Sequence, residues 1–246
     1  MRILILIVLA VIGLVVGLLY HGRRRTPAGT PAADDARKQT TFSPEEYERH
    51  AEAKQAGLER VLGRMHDLVS HSVFPFELGG AVDLYYFPHG IPGVGFATME
   101  LIRPDGSGPR PGRIGTYELV GFTRHPMPPD LEDREHPFRK IESRMRVLFT
   151  TIGTHASETV LNPGETCEIP GDEDSPGACL VFDEYAPDGM RLTIDGRKHG
   201  LLLCIEVFRE EMNYAMKHGS RALLAKLKEA GHYPYSDLDR RPVCAA

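Results

Sequence analysis

The sequence predicts an α/β domain in which a mixed sheet is packed with helices, preceded by one N-terminal transmembrane helix. Three observations support this fold class. An unbroken apolar segment occupies residues 3–19, several short aromatic and β-branched segments are bounded by Gly and Pro as strands are, and other segments repeat apolar residues at helical spacing. These patterns divide the 246 residues into a transmembrane anchor at 1–21, a flexible linker at 22–42 and a folded domain at 43–246.

The apolar segment at residues 3–19 contains no polar side chain. A helix of that length spans ~26 Å at ~1.5 Å per residue, which is just enough to cross a bilayer. Three arginines, at 23–25, follow the segment and only Arg2 precedes it, so the positive-inside rule places the C-terminal domain in the cytoplasm. Export after cleavage of a signal peptide is the alternative, but no small-x-small cleavage site follows Tyr20. We therefore expect a single-pass membrane protein attached through residues 3–19.

The first half of the folded domain is predicted to be one helix followed by strands. Residues 22–42 before it mix Pro, Ala, Thr and charge without periodicity, which is typical of a linker. A capping box begins at Ser43, with Pro44 at the first helical position, and apolar residues continue at helical spacing to about Ser70. Three strands are predicted after this helix: Ala81–Phe87, Gly95–Ile102 and Thr116–Thr123.

The second half of the domain alternates again between the two patterns. After a Pro-rich loop at residues 126–137, apolar residues share one helical face over Arg139–Thr151. The acidic residues 172–174 indicate a solvated hairpin tip. Three further strands and two helices are predicted, in this order: Cys179–Phe182, Arg191–Ile194, Gly200–Val207, Phe208–His218 and Arg221–Ala230. The strand Gly200–Val207 is apolar enough to be central, with both of its faces covered.

The charge distribution argues against general nucleic-acid binding. The chain carries −5 overall, but residues 1–40 hold six Lys or Arg against two Asp, which leaves a net charge of −9 for residues 41–246. Nucleic-acid binding requires clustered Lys and Arg that neutralise phosphates. The acidic domain is therefore not expected to bind nucleic acid.

Histidine and cysteine spacing indicates no catalytic or metal site. The four cysteines form no C-x-x-C pair, so neither a disulfide scaffold nor a zinc ribbon is indicated. His66 and His71 are five residues apart, a spacing that on a helix turns them ~140° from each other and off a common face. Neither an H-E-x-x-H nor a G-x-S-x-G motif is present, and no Gly-rich phosphate loop occurs. We expect no catalytic residue, no cofactor and no metal.

Two further groups of reactive side chains have structural explanations. Cys204 lies among leucines and is expected to be a buried, inert residue. Glu206, Glu210 and Glu211 flank a strand-to-helix junction, where carboxylates interact favourably with the helix dipole. A carboxylate-based hydrolase is therefore not the favoured interpretation.

Four segments, in their order and spacing, resemble the suppressor-of-fused domain. No single motif is diagnostic; the order carries the resemblance, from an ELV-containing strand through a helix, an NPGET turn and a long apolar strand to E-x-x-x-A-x-x-x-G-x-x-x-L-L-x-x-L. The resemblance extends from about Leu58 to Tyr235. The segments are TYELVGFTRHPM at Thr116–Met127, FTTIGTHASETVLNPGETCEI at Phe149–Ile169, CLVFDEY at Cys179–Tyr185 and GLLLCIEVFREEMNYAMKHGSRALLAKLKEAG at Gly200–Gly231.

The resemblance implies an α/β sandwich without a catalytic constellation that acts by binding protein partners. Animal members sequester a transcription factor, and bacterial members resemble immunity proteins that neutralise polymorphic toxins. This chain departs from the animal members by its predicted anchor and by lacking the length for their extra C-terminal lobe, so the animal signalling role is not transferred. The implied function is a membrane-tethered, non-enzymatic protein-binding domain whose partner is a toxin domain. An envelope-associated scaffold and a hydrolase are the alternative interpretations.

The candidate partner-binding residues lie in and just after the strand that ends at Thr123. Functional residues concentrate on loops held by a rigid scaffold, and aromatic and Arg side chains are frequent hot spots. The candidates are Tyr117, Phe122, Arg124, His125 and Met127. For Tyr117 and Phe122 the alternative is a place in the core.

Overall fold

A sheet of eight strands carries helices on both of its faces. The structure is a computed structural model that describes residues 42–129, 133, 135–171 and 177–244. The helices are α1 (Pro44–Leu62), α2 (Pro137–Ala156), α3 (Arg209–His218) and α4 (Ser220–Glu229). The strands are β1 (Val69–Ser70), β2 (Leu84–Phe87), β3 (Val94–Ala97), β4 (Tyr117–Thr123), β5 (Thr166–Ile169), β6 (Ala178–Glu184), β7 (Leu192–Ile194) and β8 (Arg197–Val207).

The strands follow the order β1-β2-β3-β4-β8-β6-β5, and β7 pairs with the N-terminal end of β8. Strands β4 and β8 run parallel, with Tyr117 opposite Gly200 and Val120 opposite Leu203. The other neighbouring pairs are antiparallel, so the sheet is mixed. β8 lies between β4 and β6, and its residues from His199 to Val207 are buried. The predicted central position of Gly200–Val207 is confirmed.

Alternating side chains of the central strands build two hydrophobic cores. On one face, Leu201, Leu203 and Ile205 of β8 pack with residues of α1, α3 and α4. On the other face, Leu202 and Cys204 pack with residues of α2. Successive residues of a strand point to opposite sides, so an apolar strand without polar alternation must be covered twice. Cys204 is buried, as predicted, and burial raises the pKa of its thiol.

Helix α1 ends at Leu62 and does not continue to Ser70 as the sequence predicts. Gly63 adopts φ 86°, and its N–H donates to a carbonyl oxygen of the last helical turn. Such a left-handed glycine terminates a helix because other residues adopt this φ at a cost. His66 and His71 therefore lie beyond the helix, and His71 instead contacts Asp83, with 2.6 Å between Nδ1 and Oδ2.

Strand β3 is also shorter than predicted, because it ends at Ala97 and not at Ile102. The N–H groups of Leu101 and Ile102 donate to the Glu118 carboxylate, at 3.2 Å and 2.9 Å. A side chain from β4 thus replaces the neighbouring strand as hydrogen-bond acceptor. Likewise, the predicted strand Ala81–Phe87 is regular only from Leu84 onward.

Two short strands are absent from the sequence prediction. β1, Val69–Ser70, lies where a helix is expected. β5, Thr166–Ile169, follows the NPGET turn and is not fully buried at any position, so it lacks an apolar signal. β5 and β6 pair antiparallel, as a hairpin requires, although the predicted tip at residues 172–174 lies outside the described residues.

Helix α2 exceeds its predicted span of Arg139–Thr151 at both ends, and His136 caps its N-terminus. The helix approaches β4 closely at Gly121. A Cβ added there would lie 3.1 Å from the Met145 Sδ and 3.2 Å from the Phe149 Cζ, which are tight contacts. The absence of a side chain at this strand position therefore allows α2 to pack directly on the sheet.

Residues Phe42–Ala246 form one compact unit. Within the part of the chain that the structure describes, no helix is both long enough and apolar enough to cross a membrane. The apolar segment at 3–19 and the linker up to residue 41 lie outside that part. The predicted transmembrane anchor and linker therefore stay predictions.

Candidate partner-binding surface

The two aromatic candidates of β4 are core residues. Tyr117 is 0% exposed and belongs to the core on the α2 face, whereas Phe122 is 2% exposed and belongs to the opposite core. The Phe122 ring lies 4.6 Å from the Tyr185 ring, measured between centroids. Both side chains therefore lie in the core, which was the alternative interpretation for these two residues, and not on a surface that a partner could contact.

Arg124 lies at the surface, immediately after β4. Its guanidinium group stacks over the Tyr235 ring, 4.2 Å from the ring centroid, and donates a hydrogen bond to the Gly231 carbonyl oxygen. It also lies 4.0 Å from the Asp237 carboxylate, while 38% of the side chain stays exposed. Because the aromatic ring already holds the guanidinium group in place, the Arg124 side chain would lose little conformational entropy when a partner binds.

His125 and Met127 point to different neighbours. His125 Nε2 lies 3.0 Å from an Asp239 carboxylate oxygen, so the ring joins Arg124 against the C-terminal segment. Met127 is half-buried and packs against the core on the α2 face. The structure therefore brings Arg124 and His125 together and leaves Met127 apart as a packing residue.

The C-terminal residues 231–239, here called the C-terminal segment, run alongside the end of β4. Asp237, which is 2% exposed, accepts hydrogen bonds from the Thr123 hydroxyl at 2.5 Å and from the Arg124 N–H at 2.8 Å. The Ser236 N–H donates to the Phe122 carbonyl oxygen at 2.9 Å. This segment continues the hydrogen bonding of β4 where the sheet ends, and it holds Arg124 in place.

The C-terminal segment is not predicted from the sequence, because these residues show no helical or strand periodicity. Its signal is compositional: Tyr233, Tyr235, Ser236 and Asp237 surround Pro234 in a stretch that reads as a polar tail. Aromatic residues in such a tail indicate that it packs against the domain, because their apolar rings would otherwise be exposed to water. Tyr235 is 8% exposed.

The same region contains a three-residue group with metal-ligating atoms. One ligand atom each from His125, Asp237 and Asp239 lies within 4.8 Å of the others. Both oxygens of Asp237 are already hydrogen-bonded to Thr123 and Arg124, and the Arg124 guanidinium supplies a nearby positive charge. The Asp237 and Asp239 carboxylates therefore act as hydrogen-bond acceptors within the fold, and we do not assign a metal to this group.

The carboxylates that flank the β8–α3 junction also bind within the fold. Glu206 accepts hydrogen bonds from the Arg144 guanidinium of α2, at 2.5 Å and 3.1 Å. Glu211 is 0% exposed, and two nitrogens of Arg240 contact it at 2.6 Å and 2.8 Å. Burial by itself would raise the pKa of Glu211, but Arg240 and the N–H groups of Val243 and Phe208 hold that pKa below its usual value. These contacts match the structural interpretation of the acidic residues.

Comparison with known proteins identifies a family and a fold. The family model described as Suppressor of fused protein (SUFU) matches residues 116–241. A chain of the Sufu–Fu complex crystal structure aligns with a TM-score of 0.52 at 18% identity, covering 79% of this chain and 92% of that chain. A SUFU homolog from Neisseria gonorrhoeae FA 1090 aligns with a TM-score of 0.51 at 13% identity, covering 80% and 98%. No curated protein matches the sequence.

The matched residues 116–241 make up just over half of the chain. They include β4, the central strand β8 and the whole C-terminal segment that holds Arg124. At identities below 20%, the two solved structures show a shared fold and nothing more about function. The family match and the shared fold confirm the resemblance drawn from the sequence, and the chain therefore belongs to the suppressor of fused protein family.

Proposed function

We propose that this chain is a non-enzymatic protein-binding domain, held at the cytoplasmic face of a membrane, that neutralises a toxin domain by binding it. The observation that carries the proposal is the family match over residues 116–241. One structure of similar fold comes from a complex between Sufu and Fu, which supports a protein as the partner. The toxin is what the resemblance to bacterial members of the family implies, and the membrane location rests on the N-terminal sequence.

The geometry around Arg124 supports binding rather than chemistry. Arg124 and His125 are held by Tyr235 and Asp239 of the C-terminal segment, so the surface is ordered before a partner arrives. Arg and aromatic groups in such fixed arrangements are frequent hot spots of protein interfaces. The cysteine Cys204, by contrast, is buried, and desolvation raises its pKa, which disfavours the thiolate that a nucleophile needs.

Charge and the N-terminal pattern support the finer parts of the proposal. The net charge of −9 for residues 41–246 favours rapid association with a basic toxin, because opposite charges steer encounters. The apolar residues 3–19 and the arginines at 23–25 support a tether with the domain on the cytoplasmic side.

A growth-rescue assay tests the toxin proposal. Toxin candidates encoded beside this gene are expressed with and without the full chain, and we expect the chain to restore growth and to co-purify with the toxin. Failure of rescue, together with stable capture of an envelope protein, would favour the scaffold alternative. A purified activity that disappears with one His or Glu substitution would instead favour a hydrolase.

Substitution of Arg124 tests the surface. We expect Arg124→Gln to weaken toxin binding by about tenfold or more, ~1.4 kcal/mol, because it removes an ordered surface cation. Binding is measured by calorimetry, and Arg221→Gln, at an exposed position of α4, is the control. Equal affinities of the two variants would place the partner-binding surface elsewhere.

A further inference from the structure

A loop between β1 and β2 exposes three large apolar side chains. In residues 72–81, here called the apolar loop, Val73 is 90% exposed, Phe74 68% and Leu78 80%. Scattered exposed apolar residues are normal, but a cluster within one short loop marks an interaction site. The loop precedes the family-matched residues 116–241, which include Arg124.

The apolar loop is held in shape by its own hydrogen bonds. At its base, the Ala81 N–H donates to the Ser72 Oγ at 3.2 Å, and the Ser72 N–H donates to the Asp83 carboxylate at 2.7 Å. At its tip, the N–H groups of Leu78 and Gly80 both donate to the Pro75 carbonyl oxygen at 3.0 Å. The exposed side chains are therefore presented from an ordered backbone, which lowers the entropy lost on binding.

Phe76 anchors the apolar loop to the domain. Its ring packs against the core on the α2 face, and a Cβ added at Gly153 of α2 would lie 3.2 Å from the ring. Phe76 thus provides the hydrophobic contact between the loop and the core. Val73, Phe74 and Leu78 are left facing solvent although the loop is already anchored.

A cavity of about 230 Å³ adjoins the apolar loop. The loop, the N-terminal half of α1 and residues 99–104 enclose it, and its apolar wall includes Tyr47, Phe76 and Met99. Its size suits a single side chain of a partner, and a pocket beside exposed apolar groups is the usual arrangement of a hot spot.

Glu100 is one of the residues that line the cavity, and among the residues that the structure describes its carboxylate has no cationic partner. Glu77 and Arg103 pair at 3.5 Å, whereas Glu100 forms no ion pair with any described residue and accepts only the Asp83 N–H, at 3.0 Å. Desolvation, with a smaller effect of the Asp83 and Glu118 charges, raises the pKa of Glu100 to about 7, against the lowering effects of the Asp83 N–H and of the Lys54 ammonium, which pairs with Glu118. A cation that entered the cavity would stabilise the ionised carboxylate.

We propose that the apolar loop and its adjoining cavity dock a partner segment that carries a basic side chain among aromatic or aliphatic ones. The basic side chain pairs with Glu100, and the apolar ones cover Phe74 and Leu78. This inference rests on the proposed protein-binding function and adds to it a second surface with a defined partner chemistry. The acidic balance of residues 41–246 favours the same partners.

Peptide selection tests this surface directly. The full chain, held in a lipid nanodisc, is used to select from a phage-displayed library of random peptides, with empty nanodiscs as counter-selection. We expect enriched peptides to combine a Lys or Arg with neighbouring apolar residues. Their affinity should fall about tenfold in Phe74→Ser/Leu78→Ser and about fivefold in Glu100→Gln. Melting temperatures show that each variant is folded.

Matched controls separate this surface from general stickiness. Val160→Ser and Met216→Ser remove exposed apolar side chains elsewhere, and Glu229→Gln removes an exposed carboxylate; none should weaken peptide binding. No enrichment, or enriched peptides without basic residues, would overturn the inference. Peptides that depend on Arg124 instead would overturn it while leaving the protein-binding function intact. A dimer that dissociates in Phe74→Ser/Leu78→Ser would show a second copy as the occupant and would likewise overturn it.

Discussion

At the scale of single residues, the interior contains an ion pair between Lys54 of α1 and Glu118 of β4. The Lys54 ammonium contacts Glu118 at 2.9 Å and the Met99 carbonyl oxygen at 2.7 Å, and both charged side chains are nearly fully buried. Glu118 also accepts the Thr98 hydroxyl at 2.7 Å. This network fixes the chain that follows β3 and attaches α1 to the sheet.

Removal of one member of this pair should be strongly destabilising. We expect Lys54→Met to lower the free energy of unfolding by ~3–5 kcal/mol, because Glu118 would keep a buried charge without its cation. Urea unfolding measures the change, and the exposed Lys198→Met should cost less than ~0.5 kcal/mol. The double variant Lys54→Met/Glu118→Gln should recover part of the loss. Equal stabilities of Lys54→Met and Lys198→Met would contradict the ion-pair network.

Glu100 gives a second prediction, on pH dependence. Desolvation raises the pKa of Glu100 to about 7, above its ordinary value of 4.5, so folding favours the protonated carboxyl. The stability that this preference contributes is fully present below the unfolded pKa and is lost as the pH rises through the folded pKa. Glu100→Gln should therefore be more stable than the parent above about pH 7, by ~1–2 kcal/mol after allowance for solvent screening of a half-buried group.

The pH dependence of Glu100→Gln is measured as a difference. Urea unfolding of the variant and the parent at about pH 4 and about pH 8 cancels the titration of all other groups. We expect a larger stability gain at the higher pH. A gain that is the same at both pH values would contradict the raised pKa of Glu100.

Among the secondary-structure elements and their connections, the Asp237 carboxylate joins the C-terminal segment to the end of β4. Asp237→Ala would leave the Thr123 hydroxyl and the Arg124 N–H without their acceptor. We expect a loss of ~2–3 kcal/mol in the free energy of unfolding and faster hydrogen exchange at the Arg124 amide. Asp67→Ala, at an exposed position outside the C-terminal segment, is the control. Unchanged exchange at Arg124 would show that the segment is held by other contacts.

Two elements end earlier than the sequence predicts, one because a glycine ends a helix and the other because a side chain replaces a strand as hydrogen-bond acceptor. The capping box correctly predicts the start of α1, because the Ser43 and Glu46 contacts are local. The early end of α1 follows from the conformation of Gly63, and the early end of β3 follows from the Glu118 carboxylate. In the second case the determining residue belongs to a different strand, so no local pattern could reveal it.

For the whole molecule, the predicted membrane topology rests on residues 3–25. We expect alkaline phosphatase fused after Ala246 to be inactive, because the positive-inside rule predicts a cytoplasmic domain and this enzyme requires export. Activity in whole cells is the measurement. A fusion in which a cleavable signal peptide replaces residues 1–21 is the control and should be active. High activity of the unaltered fusion would place the domain outside the cytoplasm.

Local patterns in the sequence predict all four described helices and most of the strands, the central position of β8 and the family. These depend on local periodicity and on the order of motifs, which are properties of the chain. The candidate site was only partly predicted: Arg124 and His125 lie at the surface, whereas Tyr117 and Phe122 are core. Periodicity cannot separate these cases, since a strand covered on both faces has no polar alternation.

Contacts between residues far apart in the chain become visible only in the folded protein. The Thr123–Asp237 hydrogen bond joins residues 114 positions apart, and the Lys54–Glu118 pair joins residues 64 positions apart. Such contacts depend on the register of the sheet and on how the helices pack against it. The residues next to a charged side chain in the sequence give no sign that it is buried. Its burial becomes favourable only when the fold brings an oppositely charged or hydrogen-bonding partner within reach.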